Sequence, residues 1–167
     1  MDINEGIDIL EKQEEILQFT HFNRQDAWKL GKELAAIILE EGLRLTVSVK
    51  LRDGFTLFQY AAEGTTVNNE TWMIRKFNTV REFEASSLLT TLKHKKRNQT
   101  LESRGFETRL YAASGGGFPI RIKGSGLIGA VLASGCPHLQ DHDTLVQGIA
   151  RVLRIRDLPR IPLDAGL

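Results

Sequence analysis

Arg75, Lys76 and Asn78 place two cations and an amide close together, on a segment whose apolar residues Trp72, Met73, Phe77 and Val80 recur at helical spacing. Lys76 shares the apolar stripe, where a charge is costly unless it is paired. Charged and amide donors on one helix suit a carboxylate, a phosphate or a haem propionate. A second set of donors comes from the run Gly115-Gly116-Gly117, which leads into Phe118-Pro119 and lets another group approach the main chain closely. The sequence therefore predicts a ligand site built from Arg75, Lys76, Asn78, Gly115, Gly116, Gly117, Phe118 and Pro119, joined by His142. A competing reading has Lys76 running along Trp72 to solvent while Arg75 pairs with Glu82 or Glu84. The glycines likewise read either as a tight bulged crossover into a strand or as a place of ligand approach. They precede a strand and a proline, whereas a phosphate loop opens a helix.

Other groups carry weaker chemistry. His138 and His142 are four apart near a helix start, a spacing that can share a metal, but no cysteine pair lies nearby and no metal is expected. Asp141 reads as a cap or as the group that orients His142. Glu11, Glu14 and Glu15 read as the solvated face of an amphipathic helix. The run Lys93-His94-Lys95-Lys96-Arg97 has no interleaved aromatic residue and reads as an exposed loop, so no nucleic-acid partner is expected. No base for nucleophilic work at Cys136, and no Ser/His/Asp arrangement, can be identified from spacing, and no reaction is assigned.

The elements that must position these residues follow from periodicity. Residues 4–18 predict an amphipathic helix through Ile7, Leu10 and Leu17, and Asn23 caps a second helix that Gly42 ends. From Leu43 the period changes to two, and Asp53-Gly54 marks a hairpin. Asn68 or Asn69 caps a third helix, and Ser86 or Ser87 a short fourth. Strands are expected near residues 108–113, 118–122 and 127–134, before a closing helix that starts at Asp141 or Asp143. The expected fold is α+β, with a roughly five-stranded antiparallel sheet and the element order ααββααβββα.

A length of 167 residues suits one domain, residues 1–167, with residues 1–22 as an N-terminal helical arm and 158–167 as a surface tail. A formal charge of +1 gives no global field toward nucleic acid or membrane. One cysteine allows no internal disulfide and fits a reducing compartment, and the acidic N-terminus does not read as a signal peptide. The apolar runs are too short to span a bilayer, so a cytoplasmic location without membrane contact is expected.

The chain resembles the GlcG/HbpS-like, or haem-degrading domain, family, in its uncharacterised stand-alone single-domain branch. The likeness rests on Gln13-Glu14-Glu15 with Leu17, on Phe22 with Asp26-Ala27-Trp28 and Leu30-Gly31, and on Trp72-x-x-Arg75-Lys76-x-Asn78-x-Val80-x-x-Phe83-x-x-Ser86-Ser87. It continues through Gly116-Gly117-Phe118-Pro119-Ile120-Arg121, Ser134-Gly135 and Asp141-His142. The resemblance implies a profilin-like fold and symmetric oligomers, at least a dimer, an expectation that the open edges of a sheet and the apolar surface of Trp28 share. Some relatives bind or degrade haem. Haem is thus one candidate ligand, with His21, His94, His138 and His142 all open as iron ligands. The expected function is binding of a small anionic organic ligand. The alternative is a non-catalytic oligomeric assembly or adaptor protein without a physiological small ligand.

Overall fold

The computed structural model describes residues 1–167. Helix α1, Ile3–Ile16, opens with a reciprocal cap in which Asp2 accepts from the Asn4 amide and Glu5 accepts from the Asp2 amide. Helix α2, Arg24–Glu41, is capped in the same way by Asn23 and Asp26, and ends at Gly42 with φ of 63°. Strands β1, Thr46–Leu51, and β2, Thr56–Ala61, form the expected Asp53-Gly54 hairpin. Helix α3, Val67–Phe83, is capped by Thr66, with Asn69 reaching back to the cap amide. Helix α4, Ser87–Lys96, is capped by Ser86. After a 3-10 turn at Glu102–Arg104 come β3, Gly117–Ile122, β4, Gly126–Ser134, and α5, His138–Leu153.

The fold is α+β as expected, but the sheet has four strands, not five, in the order β2-β1-β4-β3 with every pair antiparallel. The missing strand is residues 108–113. Its Leu110 and Tyr111 amides turn back to Glu107 O, and the remaining partners come from side chains of α3 instead of from a neighbouring strand. Thr79 Oγ1 donates to Ala112 O at 3.0 Å and accepts from Ala112 N at 3.1 Å, and Asn78 Nδ2 donates to Leu110 O at 2.8 Å. The outer edge of β3 is taken by Phe19, which exchanges main-chain bonds with Arg121 and Lys123.

The two faces of the sheet are covered by different helices. Val47, Val49, Phe118, Ile120, Val131 and Ala133 pack with residues of α2 and α5, among them Leu30, Leu34, Leu145 and Ile149. The opposite face sets Ala130 and Leu132 against Met73, Phe77 and Val80 of α3. A separate cluster joins Ile7 and Leu10 of α1 to Leu88, Leu89 and Leu92 of α4, with Ile161 from the C-terminal segment. Residues 1–22 therefore pack on their own chain. Residues 158–167 lack regular structure but are fastened, since Gln13 donates to Pro159 O at 2.8 Å and Arg160 bonds Asp143.

The basic run is not a loop either: Lys93 to Lys96 form the last turn of α4, and His94 is buried with its ring edge-on to Phe83 at 5.2 Å. Glu14, expected in solvent, is buried, bonding Arg121 and the Ser86 amide.

Candidate functional site

The site forms where α3 crosses the start of α5. Each side chain of α3 on this face is set by helical spacing: Trp72, Arg75, Lys76 and Thr79 lie along one side. Lys76 does not run out to solvent. Its Nζ donates to Asp141 Oδ2 at 2.8 Å and to Ala133 O at 2.8 Å, and both side chains are buried. Asp141 Oδ1 accepts from the Cys136 amide at 2.9 Å. The carboxylate sits in the first turn of α5, where the helix dipole favours negative charge. Burial pushes the Lys76 ammonium below its ordinary pKa and the Asp141 carboxyl above its own, and each charge opposes the shift of the other.

The glycines fit around this pair. A Cβ on Gly116, whose φ is 110°, would lie 2.5 Å from Ala133 O and 2.6 Å from Lys76 Nζ. A Cβ on Gly115 would lie 2.4 Å from His138 O, and one on Gly117 2.8 Å from a Val80 methyl. The Gly117 amide donates to Ser87 Oγ at 2.9 Å. The run is a close approach of main chain to α3 and α5.

Beside the pair lies a cavity of about 260 Å³, lined by Asn68, Asn69 and Trp72 of α3 and by Ser114, Ser134, Cys136 and His138, with Lys76 and Asp141 at its wall. Arg75 stacks on the Trp72 ring at 4.0 Å, donates to Tyr111 O at 3.3 Å and makes no ion pair. Its Nε is buried without a hydrogen-bond partner. Burial lowers the pKa of His138 and raises that of the Cys136 thiol.

Of the residues read from the sequence, Lys76 lines the cavity, while Arg75, Gly115 and Gly116 do not, though Arg75 stacks on Trp72, and Gly115 and Gly116 pack against His138 and Lys76, which do. Asn78 is directed to Leu110 O instead. Phe118 and Pro119 are divided by the two-residue period of β3. Phe118 faces the α2 and α5 core, while Pro119, opposite Ala130 in the register, faces α3. His142 lies in the core, with Nε2 bonded to Gln13 Oε1 at 2.9 Å and its ring 5.8 Å from Phe118. Burial holds its pKa at about 4. His138 and His142 thus have different surroundings, and no cluster of three or more His, Cys, Asp or Glu residues that could hold a metal is present. Asn68, Asn69, Ser114, Ser134 and Cys136 carried no signal as a group, because they come from separate elements. For Asp141 the signal was indirect: a lysine in an apolar stripe that does not reach solvent needs a counter-charge, without naming which acid supplies it.

The fold is thus an antiparallel sheet with helices on both faces, and the glycine run crosses it at a buried ion pair. Residues 22–150 match the family of haem degrading protein HbpS-like domains, and the chain belongs to that family. A UPF0303 protein of Serratia proteamaculans is 40% identical over 96% of this chain and 99% of its own length. UPF0303 protein YE1367 of Yersinia enterocolitica is 39% identical over 90% and 89%. Among solved structures, the Ybr137w protein is similar with a TM-score of 0.81 and 25% identity over 89% of this chain and 87% of that one. A PduOC:heme complex shares the fold, with a TM-score of 0.66 and 17% identity over 77% and 93%. No helix is long and apolar enough to cross a membrane.

Proposed function

We propose that the protein binds a small organic anion, a carboxylate smaller than a porphyrin, in the cavity beside Lys76 and Asp141. The observation that carries this reading is Arg75: a guanidinium without a carboxylate partner, stacked on the tryptophan that walls the cavity. Lys76 is already neutralised by Asp141, so the positive charge without an ion-pair partner beside the cavity is that of Arg75, one ring away on Trp72, while Asn68, Asn69, Ser114, Ser134 and His138 are the neutral groups that line it.

Haem is brought to mind by the family description and by the heme complex of a protein with this fold. The residues at this cavity do not fit it. A volume of about 260 Å³ lies below the roughly 300–1,000 Å³ usual for drug-sized ligands, and the lining is mainly polar. His142 is bonded in the core, His94 is packed on Phe83, and His21 lies at the surface on Asp26, which leaves His138 as the one histidine at the cavity wall. Titration with haemin, followed at the Soret band, tests the point, and no saturable shift is expected.

Native mass spectrometry of protein purified from its host, followed by calorimetric titration of the acid identified, tests the main reading. A bound mass that disappears in Arg75→Ala supports it. An empty protein that binds no member of a carboxylate panel, or an Arg75→Ala variant of unchanged affinity, overturns it.

The alternative, an assembly protein without a small ligand, is favoured by exposed apolar residues. Val67 and Ile74, seven apart on α3, are 77% and 47% exposed, and Trp28 is 56% exposed beside Phe58. The edge of β2 is also unpaired. We propose a symmetric homo-oligomer, at least a dimer, under either reading. Light scattering across a dilution series tests it, and a mass of 18.7 kDa throughout would rule it out.

A further inference from the structure

A larger cleft, of about 470 Å³, opens at the other end of α5. This cleft and the Lys76 cavity share no lining residue: the cavity uses His138 and Asp141 in the first turn of α5, and the cleft uses residues of α5 from Val146 onward. Its floor is apolar. Val146 and Ala150 belong to the main core, and Ile155 and Leu158 pack at the margin of that core.

Four arginines, Arg151, Arg154, Arg156 and Arg160, surround this floor. Two of them are committed: Arg151 pairs with Glu40 at 2.9 Å and Glu33 at 3.7 Å, and Arg160 pairs with Asp143. Arg154 and Arg156 are exposed and make no ion pair. Arg154 is also the residue at which α5 ends, with φ of 57°. The backbone reverses there, and the tail that follows supplies Arg156, Leu158 and Arg160 to the cleft. Glu33, Glu40 and Asp143 are thus occupied and Glu41 acts on Arg151 and Arg160, so the positive charge without an ion-pair partner in the cleft is that of Arg154 and Arg156.

We infer that this cleft binds an amphipathic organic anion, an alkyl or aryl carboxylate whose apolar body lies on Ala150, Ile155 and Leu158, over the buried Val146. Its carboxylate is held by Arg154 and Arg156. A fork of guanidinium donors matches a carboxylate in geometry as well as charge. The volume falls within the range of pre-formed small-molecule sites, which combine an apolar lining with a few charged groups. Neither half of the site suffices alone: an inorganic anion leaves the floor wet, and an uncharged chain leaves the arginines without a partner.

Calorimetric titration of the full chain with decanoate, kept below its micellar concentration, tests the inference. Decanoate is expected to bind saturably at one site per chain, with acetate and decanol each at least tenfold weaker. Arg154→Asn combined with Arg156→Gln is expected to weaken decanoate at least tenfold, asparagine being chosen because it tolerates positive φ. Arg75→Ala should leave decanoate within twofold, which separates this site from the Lys76 cavity. No saturable binding, or unchanged affinity in the double variant with its thermal midpoint retained, overturns the assignment. Equal binding of acetate that persists in Arg75→Ala, and so is not binding at the Lys76 cavity, removes the role of the apolar floor and overturns it equally.

Discussion

Lys76 Nζ and Asp141 Oδ2 lie 2.8 Å apart in the interior, with the Gly116 backbone packed against both side chains. The contact ties the middle of α3 to the first turn of α5 and fixes the glycine run between them. Replacing one partner leaves the other buried without a counter-charge, at a cost of about 3–5 kcal/mol. Lys76→Met is therefore expected to lower the unfolding free energy by that amount at neutral pH. The loss should shrink in acid, as the Asp141 carboxyl takes up a proton. Lys76→Met with Asp141→Leu should recover most of the loss. Urea titrations of both variants check this, and additive losses would contradict it.

His142 gives the fold a defined weakness toward acid. Its folded pKa of about 4 lies below the unfolded value near 6.5, so the unfolded chain binds more protons between the two. The stabilisation is fully present above pH 6.5 and is lost as pH falls toward 4, amounting to about 3 kcal/mol. His138 and His94 are shifted in the same direction by burial and add to the trend. His142→Gln should flatten the slope of stability against pH in this window. Denaturant titrations at pH 7, 6, 5 and 4.5 would expose an error if wild type and variant kept equal slopes.

Two glycines with positive φ should respond differently to alanine. Gly42, with φ of 63°, has nothing within 4 Å of the added methyl, so only backbone strain of about 1–2 kcal/mol is expected. Gly116 combines positive φ with a methyl 2.5 Å from Ala133 O, where neither backbone can give way cheaply. Gly116→Ala should cost more than about 3 kcal/mol or prevent folding. Thermal denaturation of the two variants provides the comparison, and equal midpoints would refute it.

Thr79 holds residues 110–113 in place of a strand. Thr79→Val removes both partners of Ala112 and should cost about 1–3 kcal/mol, since a buried amide and carbonyl lose their bonds. The more specific sign is faster hydrogen exchange at the Ala112 amide with little change in β4. Uniform acceleration across the sheet would point to global destabilisation instead.

The local signals of the chain decided most elements without help from the fold. Asn23, Gly42 and Asp53-Gly54 act within a few residues of themselves and could be read directly, whereas α3 is capped by Thr66 and not by Asn68 or Asn69, and α5 starts at His138 and not at Asp141 or Asp143. The amphipathic stripes of α2, α3 and α5 were equally local; that of α2 is buried throughout, while Trp72 on α3 and Val152 and Leu153 on α5 are only partly buried. Residues 108–113 looked like a strand because their partners, Thr79 and Asn78, are thirty residues away and bond through side chains. The sequence could show that Lys76 needed a partner but not which acid answered it, because Asp141 is distant in the chain and is brought close only by packing α3 and α5 against β4. Likewise His142 was joined to the site by its nearness to Asp141 in sequence. A helix turns each residue by about 100°, and that rotation sends His142 to Gln13 and the core while Asp141 faces Lys76. The sequence determined which side chains carry charge and which segments coil. The tertiary structure decided which charges meet, and so which of them remain for a ligand.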